Sequence, residues 1–416
     1  MIRSRAVVVL IAALSAMILL GAVPGTAQPA ATTSAAGGCP QQIAPPPPVD
    51  LSEVPAPGTP APPPMSVPNR PVGGPLMGVC GLVLPVNAPL PPAGISAASW
   101  LVADADSGEV LAARSPHARH RPASTIKLLT ALLAAERLPL NRVVVATQAD
   151  VDQEGSKAGL GPGGRYTVRQ LLTGLLLVSG NDTAHALAGQ LGGVAETVEM
   201  MNELAAGLGT LDTRAATPSG LDGPGMSTSA YDLALVFREV LNRPLLTELL
   251  STRQVRFPGF GERPGFVLSN DNKLLRNYPG ALGGKTGFTD DARHTQVDAA
   301  QRGGRRLIVV LLRGEQRPVP MWEQAARLLN YGFALTPGRP VGRLVDEAAP
   351  LETATAPGPA GQASGFRGLA PADSQDRPDR PKGAGGLTPV ALWIGVAVIV
   401  LAALGGLVAR QRRGGD

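Results

Sequence analysis

Nineteen prolines crowd into residues 28–98, a stretch without one aromatic residue, whereas 12 of the chain's 14 aromatics lie between Trp100 and Phe333. Proline has no donor N–H and favours extended polyproline geometry, so the first stretch is unsuited to regular ladders. The apolar bulk that can close a core is confined to the second. A chain of 416 residues has room for two or three domains at roughly 100–200 residues each, yet this segregation leaves one. The sequence therefore predicts a Pro-rich extended arm over 28–92 and a single folded body over 93–340.

The formal charge of +5 is concentrated at the termini, where Arg3, Arg5, Arg410, Arg412 and Arg413 against Asp416 supply four of the five. The remainder is nearly neutral and carries no basic stripe, which gives no footing for a nucleic-acid partner. The terminal arginines flank the most apolar stretches. Residues 1–27 have the layout of a signal peptide: Arg3 and Arg5, an uncharged run from Ala6 to Val23, and the small-residue site Gly25-Thr26-Ala27. An uncleaved N-terminal anchor is the alternative, and either way the body is exported. Residues 387–409 form an uncharged run of 23, about 34 Å long as a helix and enough for a hydrocarbon core of ~30 Å. The arginines after it place the tail, 410–416, in the cytoplasm. The expectation is a single-pass protein of the cell membrane with its body extracellular or periplasmic, held off by a flexible stalk over 341–386.

Cys39 and Cys80 are the only cysteines. On an oxidising side of the membrane they are expected to form a disulfide. Lipidation of Cys39 fits poorly, because it lies well past the apolar run. Two cysteines so far apart make no metal site, and neither metal nor cofactor is expected.

In the body, Ser99–Ala103 and Val110–Arg114 read as a hairpin around Asp104–Gly108. Helical periodicity runs through 128–136, 168–177, 183–191, 195–208 and 230–241. Thr295–Ala300 and Arg306–Leu312 read as strands, with a helix over 320–331. Strands at both ends with helices between predict an α/β (α+β) fold whose antiparallel sheet joins the first and last strands, flanked by helices.

Only five lysines accompany the arginines. Lysine, unlike arginine, can give up its proton when desolvated, so each is informative. Lys127 lies in Ser124-Thr125-Ile126-Lys127, where i and i+3 share a helical face. The neighbours Ile126, Leu128, Leu129 and Leu132 disfavour a charged amine. The pair fits a serine nucleophile with a lysine base. Taken alone, the motif reads more simply as an N-capping serine with a solvated lysine. Ser179-Gly180-Asn181 between two helices and Lys285-Thr286-Gly287 after Gly283-Gly284 are, alone, an N-cap turn and a glycine-rich turn.

Together and in this order, the three motifs resemble the penicillin-binding proteins and serine β-lactamases. The strings Pro122–Leu128, Tyr278-Pro279-Gly280 and Gly284–Thr289 look most like the D-alanyl-D-alanine carboxypeptidases, the low-molecular-weight penicillin-binding proteins. The resemblance covers roughly residues 95–335. It implies that Ser124 attacks the carbonyl between the terminal D-alanines of a peptidoglycan stem peptide, and that Lys127 takes its proton. Ser179 relays the proton to the leaving D-alanine, and Asn181 holds the substrate amide. Lys285 and Thr286 meet the terminal carboxylate, and the backbone N–H groups of Ser124 and Phe288 form the oxyanion hole. β-Lactam antibiotics are the implied covalent inhibitors. Arg317 is the arginine considered for the substrate carboxylate.

A β-lactamase or transpeptidase of the same superfamily, and a non-catalytic penicillin-binding sensor or scaffold, are the alternatives. Glu199 and Glu239 occur only as Glu-x-x-Asn, not in the Glu-x-x-x-Asn setting of class A β-lactamases. His117, His120, His185 and His294 have no HExxH-type spacing, and no Gly-x-Ser-x-Gly elbow is present. His185 is expected to be a packing residue.

Overall fold

The computed structural model describes residues 39–346. After a 3₁₀ turn at Pro75–Gly78 come strands β1 (Leu82–Val83), β2 (Ser99–Asp104) and β3 (Glu109–Arg114). A helical half follows: α1 (Lys127–Arg137), β4 (Val143–Val145), α2 (Gln148–Val151), β5 (Arg165–Thr167), α3 (Val168–Leu177), α4 (Asn181–Gln190), α5 (Val194–Gly207), α6 (Ala230–Leu241) and α7 (Pro244–Ser251). The chain then passes through β6 (Gln254–Phe257), β7 (Phe266–Ser269) and α8 (Lys273–Asn277) into β8 (Ala281–Thr289), β9 (Arg293–Arg302) and β10 (Arg305–Gly314), and closes with α9 (Met321–Ala334) and β11 (Gly342–Arg343).

The main sheet is antiparallel in the order β1-β3-β2-β10-β9-β8, with β11 also on β3. First and last strands share it, as the sequence predicts, and the fold is α+β. Within β10, Leu307–Leu312 is apolar without interruption because both faces of the strand are covered there. Leu307, Val309 and Leu311 pack with Trp100, Leu328 and Leu329 on one side, while Ile308, Val310 and Leu312 join Leu129, Leu172 and Phe237 in the larger core. Helix α3 begins where Thr167 accepts from the Gln170 N–H and the Gln170 side chain accepts from the Thr167 N–H, a reciprocal cap for two orphan donors. Strand β8 is left at the sheet edge, free to wall a cleft.

Two expectations need correction. The arm makes a ladder after all, with Leu82 and Val83 opposite Arg114 and Ala113, and residues 41–73 bind the body through their carbonyls. Proline removes a donor but leaves an acceptor, and body arginines supply the N–H groups. Residues 341–346, placed in the stalk by sequence, belong to the fold: Gly342 and Arg343 pair with Val110 and Glu109, and Leu344 N–H donates to Gly108 O. Cys39 and Cys80 form the expected disulfide, with Cα atoms 5.4 Å apart. Among the described residues no helix is long and apolar enough to cross a membrane. The signal peptide, the span over 387–409 and the tail lie outside the described residues.

Candidate active site

Ser124 sits in a 3₁₀ turn, Ala123–Ile126, that runs directly into α1. The buried Ala123 just before it has φ 47°, a left-handed conformation that costs a non-glycine residue energy and persists where surroundings over-determine it. Thr125 and Thr295 secure the turn by donating to Pro122 O, at 2.6 and 2.8 Å.

Lys127 opens α1 and is wholly buried. Its Nζ is surrounded by three oxygens: Ser124 Oγ at 2.8 Å, Asn181 Oδ1 at 2.7 Å and Ser219 O. Burial holds its amine well below the usual lysine range, the nearby Lys285 charge adds to this, and Asp271 and Asp182 oppose it. The result is an amine able to be neutral while touching a hydroxyl, which is what a general base for a serine requires.

Gly220 and Gly287 flank the Ser124 backbone. A Cβ on Gly220 would meet Ala123 O at 2.1 Å and Ser124 N at 2.9 Å, and one on Gly287 would meet Ser124 N at 2.8 Å and Thr295 Oγ1 at 2.5 Å. Glycine is what lets β8 and the Ser219–Gly220 turn close on the nucleophile.

Ser124, Ser179, Asn181, Thr286 and Phe288 line one cleft of about 580 Å³, together with Gly155, Ser156, Asp271, Lys273, His294, Gln316 and Trp322. Ser179 holds φ 60° at the turn before α4. Phe288 is 47% exposed, its ring centroid 4.5 Å from that of His294. Asp271 is the cleft's only carboxylate among the described residues, presented between the buried Asn270 and Asn272.

Four residues read from the sequence sit differently from expectation. The Asn181 amide is committed, its Oδ1 accepting from Lys127 and its Nδ2 donating to Glu154 O at 2.6 Å. Lys285 is buried beneath the wall, its Nζ donating to Thr286 O at 2.7 Å; burial lowers its pKa and Asp271 opposes that. Arg317 is exposed and does not line the cleft, where Gln316 and Trp322 stand instead. His185, expected only to pack, pairs with Asp150 at 2.6 Å.

Sequence reasoning missed Asp182, whose carboxylate accepts from three successive N–H groups, those of Ala158, Gly159 and Leu160, at 2.9, 2.8 and 3.0 Å. This pins the loop that carries Gly155 and Ser156. Its place directly after Asn181 at a helix start was the available signal. Ser219 acts through its carbonyl and left no side-chain signal. Among the described residues two clusters have converging ligand atoms, His117/Asp212/Asp232 and Glu53/Asp222/Asp291. In each, an arginine already supplies the cation: Arg119 on Asp212 at 2.9 Å, and Arg121 on Glu53.

The D-alanyl-D-alanine carboxypeptidase family matches residues 86–316. The chain is 49% identical over 253 residues to D-alanyl-D-alanine carboxypeptidase DacB2 of Mycobacterium tuberculosis, covering 60% of this chain and 86% of that protein. It is 32% identical over 244 residues to DacF, a carboxypeptidase of Bacillus subtilis, spanning 57% of this chain and 62% of the relative's length. Among solved structures, a D-alanyl-D-alanine carboxypeptidase from Mycobacterium tuberculosis matches with TM-score 0.61 and 47% identity, over 63% of this chain and 100% of that one. The Streptomyces K15 DD-transpeptidase matches with TM-score 0.57 and 29% identity, over 59% and 100%. The chain belongs to the D-alanyl-D-alanine carboxypeptidase family of serine peptidases.

Proposed function

We propose that the protein removes the terminal D-alanine from peptidoglycan stem peptides through an acyl-enzyme on Ser124, and so limits cell-wall cross-linking. The observation that carries this reading is the 2.8 Å contact between the buried Lys127 amine and the Ser124 hydroxyl. Neutral Lys127 takes the Ser124 proton as Oγ bonds to the carbonyl carbon of the penultimate D-alanine. The N–H groups of Ser124 and Phe288 receive the oxyanion. Lys127 returns that proton through the Ser179 hydroxyl to the leaving amine as the peptide C–N bond breaks, and water then hydrolyses the ester with the again neutral Lys127 as base. Thr286, backed by the Lys285 charge, meets the substrate's terminal carboxylate. In this reading Asn181 orients Lys127 rather than gripping the substrate amide, since both ends of its own amide are engaged.

The test is release of free D-alanine from a pentapeptide ending in D-Ala-D-Ala, abolished by Ser124→Ala along with covalent penicillin labelling. Wild-type protein that is folded but releases none refutes the reading. Transpeptidation is the second reading, favoured by the similarity to the Streptomyces K15 DD-transpeptidase; a product carrying an added acceptor amine would establish it. Rapid β-lactam turnover is disfavoured because Asp271 is the only carboxylate in the cleft among the described residues. A buried lysine held against a serine has no use in a pure sensor. Residues 1–27 and 387–409 support a body on the outer side of the cell membrane, anchored by one span, and protease accessibility in intact cells tests that placement.

A further inference from the structure

Residues 39–80 precede the family match and are closed into a loop by the Cys39–Cys80 disulfide. The anchors of residues 41–53 land on two short stretches of the body. The first leads into the nucleophile. Arg119 N–H donates to Gln41 O at 2.8 Å, and its buried guanidinium donates to Ile43 O at 2.6 Å and to Met65 O and Ser66 O at 2.9 and 2.8 Å. Arg121 donates to Pro46 O at 2.7 Å and grips both carboxylate oxygens of Glu53, with Nη2 to Oε2 at 2.8 Å. Both arginines lie just upstream of the strained Ala123 and of Ser124.

The second stretch is the turn after β8. The Asp291 carboxylate accepts from Val49 N–H and from Ser52 Oγ, and its carbonyl accepts from Arg313 at 2.8 Å. Strand β8 carries Thr286 and Phe288, the facing wall of the cleft. Glu53, Asp222 and Asp291 converge within 4.8 Å, so this loop closes a charge cluster that joins the two walls beside the cleft residues Leu221 and Thr289.

We infer that the disulfide-closed arm is a positioning element of the active site. Glu53 on Arg121 and the Val49–Ser52 turn on Asp291 hold the approach to Ser124 and the Thr286–Thr289 wall at a fixed separation. The body contributes its own holds: a pair of hydrogen bonds between His120 and Thr228 that touches one wall only, and a single bond from the Thr295 hydroxyl to Pro122 O that ties the sheet to the nucleophile turn. The arm spans both. Small displacements of a nucleophile from its acceptor are costly in rate, a 1 Å error reaching about 10²-fold, so an element that fixes the separation acts on acylation without touching substrate.

The inference rests on the proposed acylation of Ser124, and two readouts keep the two ideas apart. In the full chain, Glu53→Ala and, separately, the double variant Cys39→Ser/Cys80→Ser are compared with wild type in a time course of fluorescent-penicillin labelling. The maximal acylation rate is expected to fall about tenfold, with the half-saturating concentration and the final labelled fraction unchanged. Glu53→Gln, which keeps an acceptor for Arg121, is expected to recover most of the rate. Hydrogen exchange, which needs no catalysis, is expected to quicken in both 118–122 and 286–291. Unchanged acylation rates, a loss confined to the labelled fraction, or quickened exchange in the arm alone would overturn the inference. Absence of labelling in wild type would refute the proposed function while exchange still decides the positioning role.

Discussion

The Lys127 amine and the Ser124 hydroxyl lie 2.8 Å apart, one helical turn from each other, the amine wholly buried and the hydroxyl at the cleft. Lys127→Arg keeps a cation there but removes a base, because a guanidinium holds its proton throughout the accessible range. Penicillin acylation is expected to fall at least about 10³-fold, measured by labelling rate, while the thermal transition shows the protein still folded.

Asp271 faces the two buried amines and raises the pKa of each against the lowering by burial. Lys127 must be neutral to accept a proton, so activity rises with pH through its lowered pKa; Lys285 must be charged to back Thr286, so activity falls again as Lys285 deprotonates, below 10.5. Asp182 also raises Lys127, and the exposed Lys273 lines the same cleft. Asp271→Asn removes the opposing charge from both amines. Both limbs of the kcat/KM profile are expected to move to lower pH; limbs that stay in place, or move apart, would contradict this coupling.

How much of this was legible in sequence depends on what each residue does locally. Helices α3 and α6 begin and end where periodicity placed them, because Thr167 and Ser229 cap them and most of each is buried in the core. The Lys-Thr-Gly motif, which alone reads as a glycine-rich turn, lies within β8 (Ala281–Thr289). Gly283, Gly284 and Gly287 erase the strand pattern there; closeness to Ser124 accounts for Gly287 alone, whereas a Cβ on Gly283 would meet Leu250 O at 2.5 Å and one on Gly284 would meet Asp298 Oδ1 at 2.2 Å. Proline content described the arm's lack of donors correctly, yet could not reveal that Arg119 and Arg121 would supply them. Asp150, the partner of His185, is 35 residues away in sequence, beyond any helical spacing.

Gly287→Ala tests the close approach of β8. Its Cβ would stand 2.8 Å from Ser124 N and 3.0 Å from the Ala123 Cβ, so the strand must withdraw from the oxyanion side of the serine. Acylation is expected to drop about 10²-fold, with some loss of thermal stability as well, because the same Cβ would stand 2.5 Å from Thr295 Oγ1 on the paired strand β9. A variant that acylates at the wild-type rate would show that the wall can move without cost.

His117 bridges arm and body, its Nδ1 facing Asp212 at 2.7 Å and its Nε2 facing Val72 O at 3.0 Å. Burial alone would lower its pKa, but the Asp212 hydrogen bond and charge outweigh it and the result is raised above 6.5. A raised folded pKa gives stability that is present below the unfolded pKa and lost as pH climbs through the folded one. The neighbouring Asp232 is pushed up from 3.8 to about 7 by burial and then by Asp212, with the same sign over a lower window. The combined contribution of His117 and Asp232 is therefore expected to fall from about pH 4 upward, continuing past 6.5, against the opposite contribution of the buried His120, whose pKa is lowered to about 4. His117→Gln should keep the lower part of that decline and lack the part above 6.5, read from melting temperatures across pH.

Asp182 is 1% exposed and holds the Ala158, Gly159 and Leu160 N–H groups, with Thr183 N–H also donating at 2.8 Å. Bonds to a charged acceptor are stronger than neutral ones, and donors left buried without a partner carry their full desolvation cost. Asp182→Ala is expected to cost about 3 kcal/mol, a fall in melting temperature on the order of 10 °C for a body of this size. The loop it releases carries Glu154 O, the acceptor for Asn181 Nδ2, and Ser156 O, the acceptor for Asn181 N–H at 2.7 Å. Asn181 in turn holds Lys127. The variant should therefore acylate more slowly even at temperatures where it is fully folded, and wild-type rates under those conditions would mean that the loop does not set the position of the lysine.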